Sequence, residues 1–379
     1  MKIVIAIDSF KGSLSSMDAG RTVETAAKKL LPNAEIAVYP MADGGEGTVD
    51  ALAAGLGGEI VPVEVTGPIG EKVTARYGKI KGGKTAVIEM ADAAGLPLVP
   101  PDKRNPLHTT TYGLGELILA AAEGGCREFL IGIGGSATND CGIGMLTALG
   151  FAFRDAAGNP VGTDGKALEH VRFIERDDVA PILKECSFRI ACDVTNPLCG
   201  DNGCSAIYGP QKGATPEIVK EMDEAIRKFA AAAEKQLSIK GADLPGAGAA
   251  GGLGFAFHAF LGGQLAPGVD LVLSALGIKK DLQDADVVIT GEGRMDNQTA
   301  MGKAPVGIAK LAKACRPEVR TIALCGCAAY GAEAVNEQGL DAYFPILHTV
   351  MPTEEVMKAD VAKENLARTA TQVLRLIRK

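Results

Sequence analysis

The feature that most limits what this chain can fold into is a strand–helix–strand pattern present at both ends and different in the middle. The segment Lys2–Ile7 is almost wholly apolar and runs into a polar loop. The stretch Ser15-Ser16-Met17-Asp18 then has the form of a capping box, and Ala19, Val23, Ala26 and Leu30 recur at helical spacing. A second strand is expected at 35–39, with a short helix after it. The tail repeats this logic: a buried strand at 286–290, a helix over 302–314 with Pro305 in its first turn, a strand at 319–324 and a closing helix over about 353–378. Strands that alternate with helices predict a parallel sheet. Between the ends lie short alternating strands at 72–78 and 85–90, connections carrying Pro97, Pro100, Pro101 and Pro106, and an Ala-rich helix over Pro216–Leu237. At 379 residues the chain is longer than one hydrophobic core usually serves. The expectation is therefore a discontinuous α/β domain made of residues 1–66 plus 280–379, with a second α/β domain, 67–279, inserted.

Several function classes fall away on composition. Net charge is -7, and no run of Lys or Arg is dense enough to track a phosphate backbone, so nucleic acid is not an expected partner. No apolar run approaches the roughly 18 residues of a membrane span. The apolar start is too short for a secretion signal, which makes a cytoplasmic location and no membrane partner the expectation. Nine cysteines without a C-x-x-C pair, beside four scattered histidines, indicate neither a disulfide framework nor a zinc site. A P-loop, a G-x-G-x-x-G after the first strand, G-x-S-x-G and H-E-x-x-H are all absent.

What remains is a set of four glycine-rich segments that mix acids with small residues: M-A-D-G-G-E-G-T (41–48), G-I-G-G-S-A-T-N-D (132–140), P-G-A-G-A-A-G-G-L-G (245–254) and T-G-E-G-R-M-D-N-Q-T (290–299). Loops of this kind at strand ends offer unpaired backbone N–H groups to anions, although glycines also serve plain tight turns. Phosphoryl transfer needs a cation on the moving group, carboxylates for Mg²⁺ and a base for the acceptor hydroxyl. Lys11 is a candidate cation or a solvated loop lysine. Asp43 and Glu46 are candidates for metal or substrate contact, or for favouring a helix start. Arg294, between Glu292 and Asp296, could clamp a carboxylate or pair with those acids. Asp193, expected just beyond a strand at 188–191, is placed to take a proton or to cap a turn before Asn196-Pro197. Lys212 in Y-G-P-Q-K-G-A is a phosphate ligand or an ordinary exposed lysine.

D-S-F-K-G-S, M-A-D-G-G-E-G-T, G-G-S-A-T-N-D, A-C-D-V-T-N-P-L, Y-G-P-Q-K-G-A, P-G-A-G-A-A-G-G-L-G and G-E-G-R-x-D-x-Q-T, in this order over about residues 3–375, resemble the class I, bacterial-type glycerate kinases. The resemblance implies a two-domain, three-layer α/β/α fold: a flavodoxin- or Rossmann-like domain, a second α/β domain, and an active site in the cleft between them. It implies Mg²⁺-assisted phosphorylation of D-glycerate by ATP, giving 2-phospho-D-glycerate and ADP. Attack by the 3-hydroxyl, a non-catalytic binder of small organic acids, and a homodimer all stay open. On the same ground Asp193 and Lys11 are the expected catalytic residues, and Asp8, Ser9, Asp43, Asn196, Arg294 and Asp296 the substrate contacts. The nucleotide falls to Gly134, Gly135, Ser136, Thr138, Asn139, Asp140 and Lys212, and the metal to Asp43, Glu46 and Glu292. Cys199, Cys204, Cys325 and Cys327 depart from the family pattern and raise the question of sensitivity to oxidation.

Overall fold

A computed structural model describes residues 1–378. Its contacts separate two compact units: one made of Met1–Asp43, Asp50–Gly57 and the chain from Val269 onward, the other of Gly44–Val49 and Gly58–Gly268.

The first unit is built on a parallel sheet of five strands, in the spatial order Glu35–Pro40, Lys2–Ile7, Val287–Met295, Arg320–Ala328, Ala342–Pro345. Lys2–Ile7 reads as a continuous apolar run because both of its faces are covered. Ile3, Ile5 and Ile7 join a core with Ala19 and Val23 of the helix Ser16–Leu30 and with Leu366 and Val373 of the helix Ala359–Ile377. On the opposite face Met295, Ala323 and Cys325 pack with Val306 and Ala309 of the helix Ala304–Cys315. The layers are thus helix, sheet, helix. Ser15 caps the first helix as its sequence predicts, its hydroxyl accepting from Asp18 N at 3.1 Å. By chain order the strands run 2-1-3-4-5, the flavodoxin-like order, so the progression reverses between Lys2–Ile7 and Val287–Met295.

Three local expectations change. The strand expected at 286–290 continues to Met295 and the one expected at 319–324 continues to Ala328, so Glu292-Gly293-Arg294 and Cys325-Gly326-Cys327 lie in strands, paired Glu292 to Cys325 and Arg294 to Cys327. Gly291 is present for close approach of backbone, since a Cβ there would stand 1.9 Å from Leu324 O. The closing helix is two helices, Thr353–Val356 and Ala359–Ile377, because Lys358 takes an extended backbone (ψ 135°) as the N-cap of the second.

The second unit carries a mixed sheet of six strands in the order Gln264–Ala266, Ser187–Ala191, Glu128–Gly132, Thr85–Glu89, Lys72–Ile80, Glu59–Thr66. The first four are parallel and the last two join antiparallel. Phe129, Phe188 and Phe257 form its aromatic centre, with ring centroids 5.0 and 6.2 Å apart. The helix Pro216–Leu237 has the expected bounds and is capped by Thr215, whose hydroxyl accepts from Ile218 N. The glycine-rich stretch 245–254 differs from the expected loop: it feeds into a helical segment, Ala249–Leu261, whose first turn contains three left-handed residues, Ala250, Gly251 and Gly252.

Candidate active site

In an open parallel sheet the place where strand order reverses leaves a crevice at the carboxyl ends of the strands. The first unit has a cavity of about 460 Å³ there. Asp8 and Ser9 reach it directly after Lys2–Ile7, Glu292 and Arg294 from Val287–Met295, Cys327 from Arg320–Ala328, and Lys303 from the start of Ala304–Cys315. Lys11 and Asp43 also line it. Asp8 N donates to Gly291 O at 2.9 Å and so extends the pairing of the two central strands by one residue. The loop that follows is pinned by Phe10 and Leu14, which exchange backbone hydrogen bonds of 2.9 and 3.0 Å.

Two of the acids are held near neutrality. Burial pushes the Asp8 carboxyl up to about 7, and the neighbouring charge of Asp43 adds to this, while the Ser9 N–H at 2.6 Å and Lys11 act against it. Burial likewise raises Glu292 to about 7, opposed by the Thr299 hydroxyl, which donates to it at 2.5 Å, and by Lys303. The cations around them are more open. Lys11 is exposed, and the Arg294 side chain is 70% exposed with Nε 3.7 Å from Asp296 Oδ2. Asp296 does not line the cavity; its Oδ1 accepts from Gln298 N at 2.9 Å and it caps the short helix Asn297–Ala300 in a capping box with Thr299. Lys303 is a site residue that sequence reasoning missed. A signal existed, because a lysine at a helix N-cap opposes the helix dipole and calls for an anion nearby.

The residues expected to bind nucleotide lie in the second unit. Gly134 and Gly135 are exposed, but Thr138, Asn139 and Asp140 are fully buried. Asp140 is saturated by Thr111 N and Oγ1 (2.9 and 2.7 Å) and by the N–H groups of Gly142 and Gly144 (3.1 and 3.3 Å). Lys212 is 2% exposed rather than an exposed surface lysine, and donates to Ser136 Oγ and Thr138 O, both at 2.6 Å. Burial lowers its amine to about 8. Asn139 donates to Ser205 Oγ at 2.8 Å. Asp140, Lys212 and the Asn139 Nδ2 group tie loops together, whereas Thr138 Oγ1 and Asn139 Oδ1 are buried without a hydrogen-bond partner, and backbone at Gly134 and Gly135 forms the surface.

Asp193 is exposed two residues beyond the strand Ser187–Ala191, and its Oδ1 accepts from Gly268 N at 2.9 Å, a long-range tie. Asn196 is engaged on both sides, donating to Asn202 O at 2.9 Å and accepting from Tyr208 OH at 2.6 Å. Glu46 is exposed. Glu89, a buried acid not singled out from sequence, accepts from Gly47 N and Val49 N at 3.2 and 2.8 Å. Among the described residues no group of three or more His, Cys, Asp or Glu is placed to hold a metal ion, and no helix is long and apolar enough to cross a membrane.

A parallel sheet covered by helices on both faces, with carboxylates and cations gathered in one switch-point cavity, places the chain among the three-layer α/β proteins. Comparison with known proteins narrows this. The model of the glycerate kinase family matches residues 3–378. A glycerate kinase of Haemophilus influenzae is 47% identical over 100% of this chain and 99% of its own length, and a glycerate 2-kinase of Escherichia coli is 46% identical over 98% and 97%. The crystal structure of a candidate glycerate kinase 2 from Salmonella typhimurium LT2 superposes with a TM-score of 0.91 at 45% identity, covering 100% of this chain and 98% of that one. The chain belongs to the glycerate kinase family, and it is an enzyme of the kinase type.

Proposed function

We propose that the chain transfers the γ-phosphoryl group of ATP to the 2-hydroxyl of D-glycerate, giving 2-phospho-D-glycerate and ADP. The observation that carries this is the switch-point cavity in which Lys11, Arg294 and Lys303 share a wall with Asp8, Asp43 and Glu292. A carboxylate substrate and a polyphosphate both need cations, and the acceptor hydroxyl needs a carboxylate beside it. The name of the Escherichia coli relative supports the 2-hydroxyl over the 3-hydroxyl.

In this reading the glycerate O2 forms its bond to the γ-phosphorus as the bond from that phosphorus to the β-bridging oxygen breaks, and ADP leaves. Lys11 stabilises charge on the moving group, and Arg294 holds the glycerate carboxylate through paired hydrogen bonds. Ser9 and Asn196 serve as polar substrate contacts, and Asp296 acts through Arg294. Asp193 takes the hydroxyl proton. A second acceptor, Asp8, is favoured by one observation: its carboxyl is pushed up to about 7, where a general base works best near neutral pH.

Mg²⁺ fits the residues present. It keeps several waters and uses one or two carboxylates together with substrate phosphates, and Asp43 and Glu292 in the lining of one cavity supply that number. Asp43 and Glu292 would hold the ion, which would supply positive charge against the phosphates; exposed Glu46 would act through water.

The test is a coupled assay of ADP release with D-glycerate and ATP, with the product passed to enolase. Enolase acts on 2-phosphoglycerate and leaves the 3-isomer untouched. Turnover with an enolase-positive product is expected; an enolase-negative product would move the attack to the 3-hydroxyl. No glycerate-dependent ADP release would remove the reading altogether.

A further inference from the structure

We propose that the apolar wall of the cavity in the first unit, formed by Phe10, Cys327, Ile346, Leu347, Val356 and Met357, is the nucleoside subsite. The nucleotide then lies at the switch point with its phosphates toward Lys11 and Lys303, and not on the Gly134–Gly135 turn. The inference rests on the reading that the chain uses a nucleoside triphosphate.

The argument starts from size and chemistry. A cavity of about 460 Å³ is in the range that encloses a ligand much larger than a three-carbon acid. Glycerate carries oxygen on every carbon and has no surface that gains from an apolar wall, so the polar residues alone suffice for it. The wall is also incompletely covered. Leu347 and Met357 are 42% and 39% exposed although they line a cavity, whereas Phe10 and Ile346 of the same lining are buried. Large apolar side chains left open at the rim of a pocket that also holds cations call for an occupant with one flat apolar end and one anionic end. A purine nucleoside di- or triphosphate has that form. Met357 suits the apolar end, because its flexible thioether adapts to a flat ring and makes favourable sulfur–aromatic contacts. The alternative surface presents little but backbone: Asp140 and Lys212 are buried and bonded to Thr111, Ser136 and Thr138 O, and although Thr138 Oγ1 and Asn139 Oδ1 have no hydrogen-bond partner they too are buried, behind the exposed Gly134 and Gly135.

Two measurements test it on the full chain. First, calorimetric titration compares ADP with inorganic tripolyphosphate, which lacks a nucleoside. Leu347→Gln and Met357→Gln together should weaken ADP binding about tenfold or more, the scale expected when two apolar contacts are lost, and leave tripolyphosphate affinity unchanged. Unchanged ADP affinity, or equal loss for both ligands, overturns the proposal. Second, wild-type protein is photolabelled with 8-azido-ADP and mapped by peptide, which avoids any question of whether a variant folds. Label within 343–358 is expected; label within 128–145, or label in neither region, overturns it. The glycerate reading fails separately: a chain labelled in 343–358 that does not turn over glycerate loses that reading and keeps this one, and a chain that phosphorylates glycerate but is labelled in 128–145 loses only the nucleoside subsite.

Discussion

At the scale of single residues the cavity works against the stability of its own unit. Asp8 is 8% exposed and its carboxyl is raised from 3.8 to about 7, chiefly by burial. Between those two values the folded protein keeps a proton that the unfolded chain has released. The contribution is therefore fully present below the unfolded value and is lost as pH rises through the folded one. Asp8→Asn carries no such charge at any pH. Its melting temperature should gain on wild type between about pH 5 and pH 8, by several degrees for a relief on the order of 2–4 kcal/mol, while kcat falls. A variant that loses stability equally at both pH values would show that Asp8 holds the loop together instead. Asp193 separates the two proton acceptors. If it is the base, Asp193→Asn costs about 10²- to 10⁴-fold in kcat at unchanged melting temperature. If activity stays within a few-fold, the proton goes to Asp8, and the wild-type rate should then climb as pH rises through about 7.

At the scale of elements the glycine-rich motifs divide into two kinds that look alike in sequence. In the strand Val287–Met295 glycine permits close backbone approach, and the strand continues where alternating glycine and charge reads as a loop. At Ala250–Gly252 it permits a left-handed turn on which the buried loop from Thr138 to Cys141 rests. Gly251 has φ +68°, a Cβ there would stand 2.2 Å from Thr138 O, and its carbonyl accepts from Cys141 N at 2.9 Å. Gly251→Ala combines left-handed strain with that clash, so a loss of more than about 1 kcal/mol is expected, with a lower melting temperature and faster amide exchange at Cys141. Normal stability would mean that the turn relaxes without cost. Ser15 and Pro305 were legible as helix starts because start signals depend on residues a few positions apart. The break at Lys358 was not, since 353–378 keeps helical spacing on both sides of it.

Across the whole molecule all nine cysteines are free, and Cys327 is the exposed one among them. Cys141 is fully buried, and burial raises its thiol well above the usual range. A mild alkylating reagent should therefore modify one thiol in the native protein, at Cys327, and nine after unfolding. Modification of Cys199 or Cys204 at a similar rate would show that their loop opens readily. The sequence by itself determined the α/β class, the strand–helix alternation at both ends, the family, and six of the polar residues that line the cavity: Asp8, Ser9, Lys11, Asp43, Glu292 and Arg294 were all named from motifs. Those features depend on residue type and on neighbours within a few positions. The tertiary structure alone decided which acids share one desolvated space, that Lys303 joins them, that Asp140 and Lys212 are locked inside rather than presented, and that Leu347 and Met357 form an open apolar wall beside the charges. Burial, charge repulsion and cavity shape are set through space by segments far apart in the chain, and no local pattern encodes that distance.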